Sequence, residues 1–320
     1  MEMPYNDIIR KFIDMYAGRL RNQVSFMLSA CNFYMPIFEE ALDAYGLPLE
    51  LRYLPIIESA LNPSAVSRAG ASGLWQFMIG TGKIYGLESN SLVDERRDPI
   101  KATWAAARYL KEMYDIYGDW NLVIAAYNCG PGTINKAIRR ANGETDYWKI
   151  YNYLPKETRG YVPAFIAANY VMTYYCDHNI CPMETNIPAS TDTVQVNKNL
   201  HFEQIADLCN VPLDQIKSLN PQYKKQMIPG DSKPYTLRLP IDAISTFIDK
   251  QDTIYAHRAD ELFRNRKTVA VKEITPSTRK TTTAVAGKGK LTYYTIKSGD
   301  TLSTIAGKYG VTIKDIQRWN

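Results

Sequence analysis

The sequence predicts a mainly α-helical domain over residues 1–187, followed by small α+β modules of βααβ type. Three observations carry that prediction. Through the first 187 residues, prolines, glycines and capping residues punctuate stretches of helical periodicity. After Pro188 the pattern changes, and Val194 and Val196 alternate with polar residues as on a strand. An internal repeat then appears at an offset of 100 residues: Val194, Val196, Phe202, Ile205, Ala206, Val211, Ile216 and Asn220 match Tyr294, Ile296, Leu302, Ile305, Ala306, Val311, Ile316 and Asn320. Eight matched positions at one fixed offset mark a duplication.

The elements follow in order. Residues 48–60 form a helix closed by Asn62-Pro63, because the residue before a proline is driven out of the helical region. Asp98-Pro99 is a cap followed by proline at the first helical position. Ala102, Ala105, Ala106, Tyr109, Leu110, Met113, Ile116 and Tyr117 then share one helical face, and Gly118 stops the run. Asp119 restarts a helix through Tyr127, Gly130-Pro131-Gly132 breaks it, and a short helix runs to Ala141. Pro155 opens a last helix reaching Cys176, with Pro163 expected to kink it. Each repeat reads as strand, helix, turn, helix. The first continues into a return strand, Tyr235 to Leu239; the second ends at Asn320 without one, so truncation is expected there. The expected domains are 1–187, a degenerate module over 190–242, a linker over 243–290 whose Thr268 to Lys290 part is rich in Thr, Lys, Ala and Gly, and a second module over 291–320.

Composition narrows the function classes. Of the 320 residues 45% are apolar, enough for a core and for about two or three domains. Net charge is +5, unevenly divided: residues 1–190 hold 18 Lys and Arg against 20 Asp and Glu, and residues 191–320 hold 20 against 13. Most of the excess lies between Arg264 and Lys290, where apolar residues are few. That is a solvated linker, not a folded basic face for nucleic acid. Cys31, Cys129, Cys176, Cys181 and Cys209 match no zinc or haem spacing. Cys31 and Cys209 read as small core residues. Cys176 and Cys181 are close enough in sequence to pair in an oxidising compartment, and both the free and the bonded state stay open. No run approaches the roughly 18 apolar residues of a membrane span. The N-terminus carries no signal-peptide pattern, so export would imply a signal segment already removed.

Three segments carry chemistry. In Leu54-Pro55-Ile56-Ile57-Glu58-Ser59-Ala60-Leu61 a carboxylate sits among apolar residues in the last turn of a helix. Burial and the negative helix end both disfavour its charged form, which suits a general acid near neutral pH. A surface glutamate on a polar stripe fits that helix alone better; the second segment turns the reading toward the acid. In Ser67-Arg68-Ala69-Gly70-Ala71-Ser72-Gly73-Leu74-Trp75-Gln76-Phe77-Met78, small residues precede a bulky apolar run. Glycine lets the backbone approach a ligand, and Gln76 offers amide donors and an acceptor for sugar hydroxyls and acetamido groups. Trp75 and Phe77 serve the core or a sugar face, the core being the better expectation for at least one. Gly80-Thr81-Gly82-Lys83 is no phosphate loop, because Phe77 and Ile84 stand where glycine and Ser/Thr belong. The third segment, Ala125 to Gly132, ends a helix with Tyr127 and Asn128 beside a tight turn; alone it would read as an ordinary helix stop. Asp94, Glu95, Asp98 and Asp119 read as caps and surface ion pairs.

Together, Glu58-Ser59, Gly73-Leu74-Trp75-Gln76-Phe77-Met78, Ala126-Tyr127-Asn128-Cys129-Gly130-Pro131-Gly132 and Glu157-Thr158-Arg159-Gly160-Tyr161-Val162-Pro163 resemble the lytic transglycosylases of the goose-type-lysozyme-like superfamily, over residues 30–180. The last piece looks most like the branch of membrane-bound lytic murein transglycosylase D. The repeats resemble LysM modules, which bind N-acetylglucosamine-containing glycans; Asn199-Leu200-His201 departs from the Gly299-Asp300-Thr301 of the second copy. The resemblance implies a lysozyme-like fold with Glu58 as sole catalytic acid/base and Ser67 hydrogen-bonded to it or to the substrate acetamido group. It implies that Gln76, Met78, Tyr127, Asn128 and Tyr161 line a sugar cleft, and that Cys129 replaces a frequent alanine with little effect. The implied partner is the peptidoglycan glycan strand, with no cofactor, metal or nucleic acid. The implied setting is periplasmic or outer-membrane-associated, a monomer attached to the membrane, if at all, through a lipid anchor or signal segment outside this sequence. Two rival readings remain at this stage: a hydrolytic muramidase on the same fold, and a non-catalytic wall-binding scaffold.

Overall fold

A computed structural model describes residues 1–263 apart from 186 and 189. Two hydrophobic cores organise them. The first belongs to a helical domain. Asn6 caps α1 (Asp7–Ala17) by accepting from the Ile8 and Ile9 amides, and α1 packs along the last helix of the domain. The long α2 (Arg21–Ala44) leads through a 3₁₀ turn at Leu49–Tyr53 into the short α3 (Leu54–Ser59), so the single helix expected over 48–60 is two pieces. Next come α4 (Ile79–Ile84) and α5 (Pro99–Tyr117). Asp98 accepts from the Ile100 and Lys101 amides to start α5, and Gly118, at φ 63°, ends it. Asp119 likewise caps α6 (Trp120–Cys129), and Gly130, at φ 80°, separates it from α7 (Pro131–Arg140). The single turn α8 (Tyr147–Ile150) and then α9 (Lys156–Thr173) complete the domain.

The expected face of α5 is buried at Ala102, Ala105, Ala106, Leu110 and Met113. Ile116 is exposed instead, because in the last turn the apolar stripe passes through Tyr117. The last helix ends at Thr173, short of Cys176, and Pro163 leaves it a single element. Pro163 has no N–H for the carbonyl of Arg159 one turn earlier. The Tyr147 hydroxyl donates to that carbonyl at 2.9 Å and satisfies it. Cys209 is buried and Cys31 half-buried, its thiol pushed up to about 12 by burial; Cys176 and Cys181 are exposed free thiols.

The second core belongs to the first repeat. Its elements are β1 (Thr191–Val196), β2 (Asn199–His201), α10 (Phe202–Cys209), α11 (Leu213–Leu219), β3 (Met227–Pro229), β4 (Tyr235–Pro240), α12 (Ile241–Asp249), α13 (Gln251–Ala256) and α14 (Ala259–Leu262). Strands β1 and β4 pair antiparallel from Thr191↔Pro240 to Val196↔Tyr235, the expected βααβ unit. A second small sheet, β2 with β3, was not legible in the alternation. Asn199-Leu200-His201 is that second strand, and His201 with Gln204 forms a capping box on α10.

The linker expected from 243 is folded as far as it is described. Ala243, Phe247 and Ile254 are buried in the second core, so α12 and α13 are amphipathic helices of the module. The rest of that linker and the second repeat, 291–320, lie outside the described residues.

Candidate active site

The site is assembled around the end of α3. Leu54, Pro55 and Ile56 are buried and anchor this short helix, which leaves Glu58 in its last turn. Ala60 and Leu61 follow at φ 50° and 58°, in the left-handed region. Their amides bond back to the carbonyls of Ile56 and Pro55 at 3.1 and 3.3 Å, which closes the helix end. Two consecutive non-glycine residues in that region cost about 1–3 kcal/mol each and persist only where packing enforces them; the burial of Leu61 does so here.

Side-chain bonds then join segments distant in sequence. Ser59 Oγ donates to the Leu74 carbonyl at 2.9 Å. Tyr127 Oη donates to the Trp75 carbonyl at 2.7 Å. Tyr161 Oη, from α9, donates to Glu58 Oε1. Thr158 Oγ1 donates to Asn128 Oδ1 at 2.8 Å. Each of the four motifs is thereby fastened to at least one other.

Electrostatics at Glu58 follow from this enclosure. The residue is half-buried, and burial of its carboxyl pushes the pKa up to about 7. The Tyr161 hydroxyl opposes that rise and the Glu157 carboxylate adds to it. The Tyr127 and Tyr161 phenols are held well above their ordinary range, by burial first and by the Glu58 charge next. Both therefore remain hydroxyl donors. A carboxyl poised at about 7 can give a proton and take one back at neutral pH.

Tyr161→Phe tests that balance. The hydroxyl holds the Glu58 pKa down, so its loss raises the pKa. Below the pKa the carboxyl is protonated and competent as an acid. The decline of kcat/KM on the alkaline side, set by Glu58 near 7, is therefore expected at higher pH in the variant. A pH–rate profile checks this, and an unshifted or acid-shifted limb refutes it.

The other expected site residues divide. Gln76 is half-buried at φ 48°; its amide donates to the carbonyls of Gly73 at 2.8 Å and Ala65 at 3.3 Å. Both donors expected to be free for sugar are thus committed to the loop, which leaves the amide oxygen. Ser67 Oγ accepts the Ala71 amide at 3.0 Å and makes no hydrogen bond to Glu58. Met78 is 45% exposed. Trp75 and Phe77 are both core residues, and Trp75 Nε1 donates to Thr103 Oγ1 at 2.9 Å.

Asp94, Asp98 and Asp119 are caps as expected, but Asp94 and Glu95 are not surface residues. Asp94 is 1% exposed and pairs with Arg96, itself 5% exposed, at 2.8 Å; Glu95 is buried and pairs with Lys101. Arg96 donates to the carbonyls of Gly70 and Phe77 at 2.8 and 2.9 Å, so it props the loop from inside. Five charges in the run Asp94 to Asp98 look like a solvated surface, and nothing local marks Arg96 as enclosed. Thr158, which orients Asn128, was missed for the same reason. Glu157 was missed although its place is legible: it precedes Tyr161 by four residues, so it shares that helical face.

The profile of the transglycosylase SLT domain matches residues 35–150. That of the LysM-like domain of lytic transglycosylase MltD matches 190–256, and that of the LysM domain matches 294–320. Over 326 aligned residues the chain is 32% identical to the membrane-bound lytic murein transglycosylase D of Escherichia coli (strain K12), covering 100% of this chain and 67% of that protein. The chain belongs to the lytic murein transglycosylase D family. The chain is also 33% identical over 124 residues to the soluble lytic murein transglycosylase of Escherichia coli (strain K12), covering 37% of this chain and 19% of that one. A solved structure of the 70 kDa soluble lytic transglycosylase of Escherichia coli aligns at 29% identity and a TM-score of 0.39, over 45% of this chain and 24% of that one.

Proposed function

We propose that this lytic transglycosylase cleaves the β-1,4 bond between N-acetylmuramic acid and N-acetylglucosamine in peptidoglycan, with Glu58 as its single acid and base. The observation that supports this most is a carboxyl enclosed at an apolar helix end, hydrogen-bonded by Tyr161 and poised near pH 7. Protonated Glu58 gives its proton to the glycosidic oxygen, and the bond from that oxygen to muramyl C1 breaks. The positive charge left on C1 is shared with the oxygen of the sugar's own 2-acetamido group. Glu58, now a carboxylate, takes the proton of the muramyl C6 hydroxyl, whose oxygen closes onto C1. No water enters, and the product is a 1,6-anhydro end. An intramolecular attack within a held sugar has a very high effective concentration, so the second carboxylate of most glycosidases is not required.

In this reading the Gln76 amide oxygen, Met78, Asn128, Tyr127 and Tyr161 contact the glycan, and Ser67 faces the acetamido group. Family membership supports the glycan strand as substrate. The envelope as setting follows the membrane-bound relative. We place the enzyme on the periplasmic or outer-membrane side as a monomer. No described helix is long and apolar enough to cross a membrane.

Digestion of purified sacculi followed by mass spectrometry tests the chemistry. The expected products are lighter by one water than hydrolytic ones and resist borohydride reduction. Reducible, hydrated muramyl ends would make the enzyme a hydrolytic muramidase instead.

A further inference from the structure

The first LysM-like module does not hang from the helical domain as a free appendage. Leu92 and Val93 of the helical domain are buried in the module's own core. Val93 and Tyr223 form an antiparallel bridge, with the Asp94 amide donating to the Gln222 carbonyl at 2.8 Å and the Lys224 amide to the Leu92 carbonyl at 2.7 Å. Lys224 Nζ donates to the Asn90 carbonyl at 2.7 Å and lies 3.9 Å from Asp94. Tyr235 and Lys233 both reach the Glu88 carboxylate, at 3.1 and 2.6 Å.

The segment the module grips is the one that grips the site. It is a hairpin closed by the Glu95 amide on the Glu88 carbonyl, at 2.8 Å, and it ends in Arg96 and Arg97. Asp94 orients Arg96, which holds the carbonyls of Gly70 and Phe77 on either side of Gln76's loop. Arg97 Nε donates to Ser72 Oγ at 3.0 Å. Every link from Lys224 to the Gly73–Met78 loop is a named contact, running from the half-buried Lys224 to the buried Asp94 and Arg96. A polar network of that kind is stiff when complete and costly when one member is removed.

We propose that the first module acts as a buttress of the active site: its Gln222–Lys224 turn positions the Gln76 loop through Asp94 and Arg96, so Lys224, Asp94 and Arg96 are positioning residues for the reaction. The proposal rests on the reading of Gln76 as a glycan contact. It gives this degenerate copy a role that does not require it to bind sugar.

The test uses the full chain carrying Lys224→Met, which keeps the stem and removes the donors, with Lys224→Arg as the conservative rescue. Hydrogen exchange of peptides covering residues 65–78 is expected to speed up about tenfold or more while α2 and α9 stay protected. On solubilised glycan strands kcat is expected to fall about tenfold with KM changed less than about threefold, because a loosened loop misplaces a sugar that still binds. Lys224→Arg is expected to restore both. Unchanged exchange over 65–78, or a rise spread equally over α2 and α9, overturns the coupling. If the wild type yields no anhydro ends, the functional reading fails by itself, and the exchange result still judges the coupling.

Discussion

Glu58→Gln is expected to lower release of anhydro-ended products from sacculi by roughly 10³-fold or more, since both proton transfers pass through this one group. The amide keeps the shape of the side chain and an acceptor for the Tyr161 hydroxyl, but it cannot titrate. The same variant carries a stability prediction of definite sign. The folded pKa of Glu58 is about 7 against an ordinary 4.5, so the folded state binds a proton that the unfolded state has released. Ionised Glu58 therefore costs stability; the cost is absent below pH 4.5, grows through the interval and is complete above about 7. Its full size is about 3 kcal/mol, from roughly 1.4 kcal/mol per pKa unit. Glu58→Gln should thus unfold at a higher temperature than the wild type at pH 8, and the gain should shrink toward pH 5. Calorimetry at the two pH values checks it. Retained lysis of cell walls, or a gain that is larger in acid, contradicts the assignment of Glu58.

Gly73→Ala is expected to cripple the protein by an unrelated route. Gly73 sits at φ 90°, and a Cβ there would lie 1.8 Å from the carbonyl oxygen of Arg96 and 2.6 Å from its carbon. The obstacle is backbone, already fixed by the buried Arg96–Asp94 pair. No rotamer relieves it, so the loop and the hairpin must separate. A loss of about 3 kcal/mol or more follows from a clash of this kind with left-handed strain added. That corresponds to roughly 6–12 °C in Tm for a domain of this size, and to loss of lysis with it. Gly80→Ala is the control: nothing lies within 4 Å of its added methyl and its φ is ordinary, so stability should hold or rise slightly in α4. A Gly73→Ala protein that melts with the wild type would show that the loop is held less tightly than these distances imply.

The expected helices could be read because their signals are local. Asp98 and Asp119 cap from one position away, Gly118 and Gly130 stop helices by their own φ, and the alternation at Val194 and Val196 needs only neighbours. The first repeat's βααβ order was legible for the same reason. The β2–β3 sheet was not, since strands of three residues leave no periodicity to detect. Helix α12 was misread as linker because only Ala243 and Phe247 of its apolar positions are buried, while Ile244 is half-buried against the core and Ile241 and Ile248 are exposed.

At the site, residue types along the chain pointed to Glu58, Gln76, Tyr127 and Asn128, and the family resemblance alone added Tyr161. Local chemistry could also say that a carboxyl at an apolar helix end would titrate high. It could not say that Tyr161, 103 residues away, donates to that carboxyl, or that Gln76 turns its amide donors onto its own loop. Nor could it tell that the charges at Asp94 and Arg96 are enclosed, or that a module 130 residues downstream braces them. Those outcomes depend on which backbone carbonyls and charges the packed segments bring within hydrogen-bond reach, and a chain read one window at a time holds no distances between its windows.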